Sequence, residues 1–246
     1  MAEKNSVSQA PNERATLITP KLPHGGEGPV STPKAPVPPF QAADYTFRLV
    51  SMSITNTRSR HEDTDTVSFT VQVGTDPSKA VGVSKKLGDL NNGDFPIGLS
   101  IGPLHVGDPN IGIAMNYLVV NAGNANWNTI NKDITSAGKS LAEIGAKAAT
   151  SAIGAAVGAT IGTQIMPIVG TAIGVIAGWL AGEITGLVTA DCDGPVAVEQ
   201  AVFKGSELWA KTAAGVYKVT TLHPGVDSNA GCGSNSMYSM TWSVSR

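Results

Sequence analysis

The sequence predicts an α+β protein in which an antiparallel β-sandwich carries an inserted helical hairpin with a glycine zipper. Several short stretches before residue 121 and after residue 195 have apolar residues at every second position, which is the period of half-buried strands. Between them, at about 128–189, the apolar period becomes helical and glycine recurs at every fourth position. Because strands flank the helical segment on both sides, we interpret it as an insertion in one sheet domain.

The first 40 residues differ from the rest of the chain. They contain eight of the 15 prolines and show no apolar periodicity. Such a stretch cannot bury enough surface to offset the entropy of ordering it. We therefore predict a disordered proline-rich arm at 1–40 and a β-sandwich domain at 41–246, with the hairpin inserted at about 128–189.

Alternation defines the strands of the predicted sandwich. Tyr45, Phe47 and Leu49 occupy one phase, and Val50, Met52 and Ile54 the opposite one. A change of phase within a strand indicates a β-bulge or a strand with both faces partly covered.

The next strand alternates without such a break. Its apolar residues are separated by Ser68, Thr70 and Gln72, a pattern that predicts a half-exposed antiparallel strand. Further strands are expected at 97–101, 111–120, 196–203, 216–222 and 238–244, and one helical turn at 206–210.

An amphipathic helix is predicted to lead into the glycine-rich stretch. Asn126 and Asn128 are both candidate N-caps, and Glu143 and Lys147 have the spacing of a helical ion pair. The residues expected to form its buried stripe are Ile130, Ile134, Ala137, Leu141 and Ile144.

The stretch 148–182 contains no charged residue, and its glycines form two runs. Spacing by four places each run on one helix face, where another backbone can approach closely. Pro167 separates the runs and cannot donate a helix hydrogen bond, so two helices are expected, at roughly 140–164 and 168–189. The glycines are Gly154, Gly158, Gly162, Gly170, Gly174, Gly178, Gly182 and Gly186.

The repeated GxxxGxxxG spacing over 148–186 resembles the glycine-zipper segments of channel-forming toxins and of membrane-inserting bacteriocin-like domains. The resemblance implies close helix packing and self-association in a membrane, and Trp179 would serve as an apolar or interfacial anchor. Each predicted helix has the length to cross about 30 Å of hydrocarbon, although Glu183 would be costly there. Burial of the same helix pair against the sheets remains the alternative, because close packing in water would also explain the glycines.

Two acidic turns are the candidate metal ligands. Asp63 and Asp65 precede a strand, while Asp191 and Asp193 follow the hairpin. Carboxylates on adjacent loops suit calcium, but short Asp-x-Asp pairs are also common in turns for local hydrogen bonding. Calcium is the only cofactor that the sequence suggests, and hydrogen bonding within the turns is the preferred explanation of these aspartates.

The sequence does not indicate a zinc site, a catalytic nucleophile, a phosphate-binding loop or a nucleic-acid-binding surface. The four histidines and two cysteines lack zinc-ligand spacing, no nucleophile elbow is present, and Gly138-Lys139-Ser140 lies in a predicted helix without the first glycine of a phosphate loop. A net charge of −2 provides no basic surface for nucleic acid. We therefore predict neither an enzyme nor a nucleic-acid-binding protein, and a hydrolase using His61 or the acidic turns is the weakest hypothesis.

The start of the sequence is polar and predicts no Sec-type signal peptide. Synthesis in the cytosol is expected, with export by another route or association with a membrane. In that compartment Cys192 and Cys232 are expected to remain reduced.

These observations favour a non-enzymatic, membrane-active protein, comparable to a pore-forming toxin, whose hairpin inserts into or associates with a bilayer. Its partners would be membrane lipid and further copies of the hairpin. The alternative is a soluble structural or interaction module whose hairpin is permanently buried and whose loops bind a protein or glycan.

Overall fold

Strands make up most of the chain that the computed structural model describes, namely residues 39–59, 62–123, 126–151, 165–166, 192–225, 232 and 235–246. These residues belong to the unit Val37–Arg246, which is distinct from Met1–Pro36. The elements in chain order are β1 (Ala43–Asn56), β2 (Asp63–Val73), a 3-10 turn (Pro77–Lys79), β3 (Val81–Leu90), β4 (Gly93–Val106), β5 (Gly112–Asn121), α1 (Trp127–Ser151), β6 (Ile165–Met166), β7 (Gly194–Lys204), α2 (Gly205–Lys211), β8 (Tyr217–Pro224) and β9 (Met237–Ser245).

The strands form two antiparallel sheets, so the predicted mixture of antiparallel β-structure with a few helices is confirmed. The first sheet has the order β4-β1-β9-β8 and the second sheet β3-β2-β5-β7-β6. β3, which the sequence analysis did not predict, lies at the edge of the second sheet and pairs with β2.

The bulge predicted in β1 is confirmed. The register shifts between Leu49 and Ser51 against both neighbouring strands. Tyr45, Phe47 and Leu49 before the shift are buried, and so are Met52 and Ile54 after it. One extra residue thus allows both phases to point into the same core.

Side chains from both sheets form one continuous hydrophobic core. Trp242 on β9 lies in it with its ring centroid 6.1 Å from that of Phe203 and 5.7 Å from that of Tyr217, both edge-on. The predicted alternation of β9 is confirmed, because Tyr238, Met240, Trp242 and Val244 are all fully buried. Aromatic residues therefore supply much of the interior volume.

α1 packs on the face of the second sheet that points away from this core, over β2, β3, β5 and β7. Of the two N-cap candidates, Asn126 caps the helix, since its Oδ1 accepts the Asn128 N–H at 2.9 Å. The predicted ion pair between Glu143 and Lys147 is present at 2.5 Å.

The stripe predicted for α1 is correct at four positions and wrong at the fifth. Ile130, Ile134, Ala137 and Leu141 are buried, whereas Ile144 is 60% exposed. The buried face continues instead through Ala142, Gly145, Ala146 and Ala149. Only small side chains fit there, because a Cβ on Gly145 would lie 2.4 Å from Gln200 Nε2.

α1 also overturns the prediction that β2 is half exposed. Ser68, Thr70 and Gln72, which have the spacing of solvent-facing residues, are completely buried. The helix covers this face of the sheet, so that water does not reach it.

Two segments outside the strands, α2 and the residues before β1, also contact each other. The turn predicted at 206–210 is α2, whose Trp209 meets the ring of Phe40 edge-on at 6.1 Å. Phe40, which we assigned to the arm, therefore packs against the core.

Most of the predicted hairpin lies outside the described residues. This applies to all eight zipper glycines, to Trp179 and to Asp191. Within it, Ile165 and Met166 form β6 between the two glycine runs and pair with Ala201 and Gln200 of β7. In the part of the chain that is described, no helix is both long and apolar enough to cross a membrane.

Candidate functional site

Polar side chains surround the point where the chain enters β7 after the glycine-rich segment. We call this group the re-entry cluster, comprising Arg58, Asp63, Asp65, Asn121, Cys192 and Tyr238. It joins residues from both sheets and from the loops next to them. Because the glycine-rich segment ends here, the cluster determines how that segment is attached.

Asp63 lies at the centre of the re-entry cluster and is fully buried. Its carboxylate accepts the backbone N–H groups of Arg58 at 2.5 Å and Ser59 at 2.7 Å. It also accepts the side-chain amide of Asn121 at 3.0 Å and the hydroxyl of Tyr238. With four donors around its two oxygens, Asp63 fixes the loop before β2 and carries no unpaired oxygen.

Cys192 is held through its backbone carbonyl. The Nε–H of Arg58 donates to this oxygen at 2.7 Å and the amide of Asn121 at 3.2 Å. Cys192 has a φ of 66°, a backbone conformation that a non-glycine residue seldom adopts. The following residues are fixed too, because the Gly123 N–H donates to Asp193 Oδ1 at 3.0 Å.

A disulfide joins Cys192 to Cys232, with the Cα atoms 5.2 Å apart. The expectation that both thiols are reduced is therefore wrong. The two residues are 40 positions apart in sequence, but the entrance to β7 and the connection between β8 and β9 meet at this end of the sheets. The glycine-rich segment is thus covalently fixed at its C-terminal side.

Asp65 differs from Asp63 in its surroundings. Its Oδ2 lies 3.3 Å from the Tyr238 hydroxyl, and its Oδ1 has no hydrogen-bond partner among the described residues. Burial, with a further contribution from the Asp63 charge, raises the pKa of Asp65 well above its usual range. The surroundings of Asp65 therefore favour the neutral, protonated form of its carboxyl group.

A second buried polar group crosses the core between the sheets and comprises Tyr117, Glu199, His223 and Trp242, here called the core polar cluster. Trp242 Nε1–H donates to Glu199 Oε1 at 3.2 Å, and the Tyr117 hydroxyl donates to Glu199 Oε2. His223 Nε2 lies 2.7 Å from the same hydroxyl. Since Tyr117 uses its proton towards Glu199, His223 must donate from Nε2, which assigns its neutral tautomer.

Burial lowers the pKa of His223 to about 4 and, with the Glu199 charge, raises the pKa of Tyr117 well above its usual value. A Tyr–His–Glu chain of this kind can relay protons in principle. All four members of the core polar cluster are at most 3% exposed, however, so a substrate has no route to them. The geometry supports an interior hydrogen-bond network that links β5, β7, β8 and β9.

The calcium candidates are partly brought together. Asp63, Asp65 and Asp193 lie at the same end of the second sheet, connected through Asn121 and Cys192, whereas Asp191 lies outside the described residues. Donors already surround Asp63, which disfavours a cation there. Over the described ranges, no group of three or more His, Cys, Asp or Glu side chains is placed to hold a metal ion. Calcium binding stays a prediction.

Sequence reasoning missed most of both clusters. A signal was present for Glu199, because a carboxylate in the middle of the apolar run 196–203 must find donors if the strand is buried. Arg58, Asn121 and Tyr238 gave no local signal, since they meet their partners only across the fold. No family model, curated protein or solved structure matches the chain.

Proposed function

We propose that this protein is a non-enzymatic, membrane-active protein: a β-sandwich that carries the glycine-rich segment 152–191 as a helical hairpin and presents it to a bilayer. Membrane lipid and other copies of the hairpin would be its partners. The zipper glycines would provide the contacts between helices, with Trp179 as the anchor.

The observation that carries this proposal is the attachment of the segment to the scaffold. The segment follows α1, pairs with β7 at the two residues of β6, and adjoins Cys192, where a disulfide and two hydrogen bonds hold the chain. Because β6 is only two residues long and lies at the edge of its sheet, its detachment would not unfold the other strands. Its composition agrees, because Glu183 and Asp191 are its only charged residues.

The disulfide also supports a place of action. Disulfides persist in oxidising compartments such as the bacterial periplasm or the cell exterior. We propose that the protein acts in such a compartment and encounters the bilayer there.

Dye release from liposomes tests the function. The full-length protein, added to anionic and to neutral vesicles at neutral and acidic pH, is expected to release dye under at least one condition. The double variant Gly174→Leu, Gly178→Leu places bulk on the zipper face and should abolish release. Ala172→Leu adds bulk two positions before Gly174, on the opposite side of the predicted helix, and serves as the control that retains activity.

Equal release by the zipper variant and the wild type would refute the role of the glycines. No release by the wild type under any condition, together with resistance of 152–191 to protease in solution, would refute membrane activity. Circular dichroism and urea unfolding of each variant would establish that the sheets remain folded.

The second candidate is a soluble interaction module whose hairpin stays docked. The pairing of β6 with β7 favours it, because the break between the two glycine runs would then be tied to the edge of the second sheet. This candidate predicts the protease resistance described above and no effect of lipid. The loops would then be searched for a protein or glycan partner.

A further inference from the structure

The interface between α1 and the second sheet is built unlike the core. We call it the cover interface: Ser68, Thr70, Asn116 and Gln200 on the sheet, facing the small-residue side of α1. The sheet residues point away from the core, because Val67, Phe69 and Met115 of the same strands point into it. Apolar side chains are buried there too: a cluster of small ones, with Ala114, Ala142, Ala146 and Val202, and larger ones at Ile130, Ile134 and Leu141 of α1 and at Leu118, Val120 and Val198 of the sheet.

Several polar atoms at the cover interface are buried without a partner. Ser68 Oγ, Thr70 Oγ1 and Asn116 Oδ1 have no hydrogen-bond partner among the described residues, and each belongs to a residue with no exposed surface. All three converge on Gly138 of α1. A Cβ at Gly138 would lie 2.6 Å from Thr70 Oγ1, 3.0 Å from Ser68 Oγ and 3.3 Å from Asn116 Oδ1.

Among the described residues, four side-chain hydrogen bonds join α1 to the second sheet, and two of them link Ser84 of β3 to Asn131 and Thr135 of the helix. The side-chain amides of Asn116 and Gln200 donate to the backbone carbonyls of Gly138, at 2.8 Å, and Leu141. Both carbonyls lie in mid-helix, where they already accept the bond of the helix itself. Loss of these two contacts leaves no helix carbonyl without a partner.

Water would satisfy the groups that α1 leaves unpaired. A buried oxygen without a donor loses its hydration and gains nothing in return, so the docked helix carries a cost that the undocked sheet does not. The alternating pattern of β2 is that of a strand with one solvated face, and such a face tolerates exposure. By contrast, the core between the sheets could not be hydrated without loss of its aromatic packing.

We propose that α1 is a displaceable cover, which leaves the second sheet while the two-sheet body remains folded. The helix would carry an apolar stripe with Ile130, Ile134 and Leu141 next to Ile144, which is exposed already. The opposite face of the helix carries Lys132 and Lys139, while Lys147 is paired with Glu143. Such an amphipathic helix can bind at the surface of an anionic bilayer. Its displacement would also release the N-terminal end of the glycine-rich segment. Only this last step rests on the proposed function.

Two neighbouring residues of β2 provide a matched test without lipid. Ser68→Cys places a thiol under α1, and Val67→Cys places one in the core; both positions are fully buried. The native cysteines are joined to each other, so the introduced thiol is the reactive one. With the rate of global unfolding measured for each variant, we expect a thiol reagent to label Ser68→Cys at least about tenfold faster than unfolding allows, and Val67→Cys only at the unfolding rate.

Labelling of both thiols at their unfolding rates would overturn the proposal. A second pair of variants covers the case in which Ser68→Cys does not fold. Gly138→Ala forces a methyl group against Thr70 and Ser68 and should increase hydrogen exchange of α1 several-fold, with exchange in β5 unchanged. Ser140→Ala, at an exposed position of the same helix, should have no such effect. Equal exchange in α1 and β5 in every variant would again overturn the proposal.

This outcome is separable from that of the dye-release assay. Undocking without dye release would support the cover and refute the membrane function. Dye release without undocking would support the membrane function and refute the cover.

Discussion

The two faces of β2 meet different neighbours. Val67, Phe69 and Val71 point into the core between the sheets, where Trp242, Tyr45 and Phe47 supply large apolar rings. Ser68 and Thr70 point towards α1 and meet Gly138. Both faces of β2 are equally buried, but burial of the first removes apolar side chains from water, whereas burial of the second leaves hydroxyl groups without partners among the described residues.

Burial and stabilisation are therefore separate properties in this protein. In the core, removal of water is favourable because apolar area leaves it and the polar members find partners, as Glu199 does with Trp242 and Tyr117. At the cover interface, the same removal leaves hydroxyl groups without partners. The difference predicts that the core unfolds as a unit and that α1 does not belong to that unit.

The largest effect is expected on the apolar face of β2. Phe69→Ala should lower the free energy of unfolding by about 3–5 kcal/mol, because a buried ring is replaced by a cavity. Urea unfolding followed by tryptophan fluorescence measures it. A decrease in the free energy of unfolding below about 1 kcal/mol would mean that the core tolerates cavities. The two faces of β2 would then not differ in their contribution to stability.

Acid should weaken the core through His223. Its pKa is lowered from 6.5 to about 4 by burial, so the unfolded chain binds a proton between these values that the folded chain does not. This contribution to stability is complete above about pH 6.5 and falls by about 3 kcal/mol as the pH drops to 4. Asp65 acts in the opposite sense, because a raised pKa favours the folded state at low pH.

The His223 contribution is isolated by comparison with a variant. Unfolding free energies of the wild type and His223→Gln, measured from pH 7 to 4, should differ by an amount that shifts in the variant's favour as the pH falls. The Asp65 contribution is common to both proteins and cancels. A constant difference across this range would show that His223 takes up a proton in the fold as readily as in the unfolded chain.

Substitution of the two aspartates of the re-entry cluster should lower the free energy of unfolding by different amounts. Asp63→Asn removes an acceptor from a group that has four donors and should cost about 2 kcal/mol. Asp65→Asn replaces a carboxyl that burial already favours as neutral, and should change stability by less than about 1 kcal/mol at pH 7. Urea unfolding of both variants tests this, and equal losses would contradict the assigned roles.

The smallest effect is expected on the polar face of β2. Thr70→Val keeps the shape of the side chain and removes a hydroxyl without a partner among the described residues, so stability should be unchanged or higher by up to about 1 kcal/mol. The same substitution at Thr46, on the outer face of the first sheet, provides the control. A loss above about 1 kcal/mol at position 70 would mean that the hydroxyl is satisfied and would weaken the proposal of a displaceable cover.

Local sequence signals were enough to predict part of the fold. The alternation of apolar residues predicted most of the strands, and the change of phase within β1 predicted its bulge. The N-cap at Asn126 and the ion pair between Glu143 and Lys147 are present as helix geometry predicts. Such features depend on residues a few positions apart, and their geometry is fixed by the period of the backbone.

The neighbours that cover each sheet face, and the contacts between distant polar groups, depend on how the elements pack together. Ser68 and Thr70 would show the same alternation under water as under a helix, because the pattern records polarity and not the neighbour. Ile144 continues the stripe of α1 in sequence but faces outwards, since the second sheet admits only small side chains at that point. The disulfide and the re-entry cluster join residues 40 to 175 positions apart, and no local period encodes contacts at such separations.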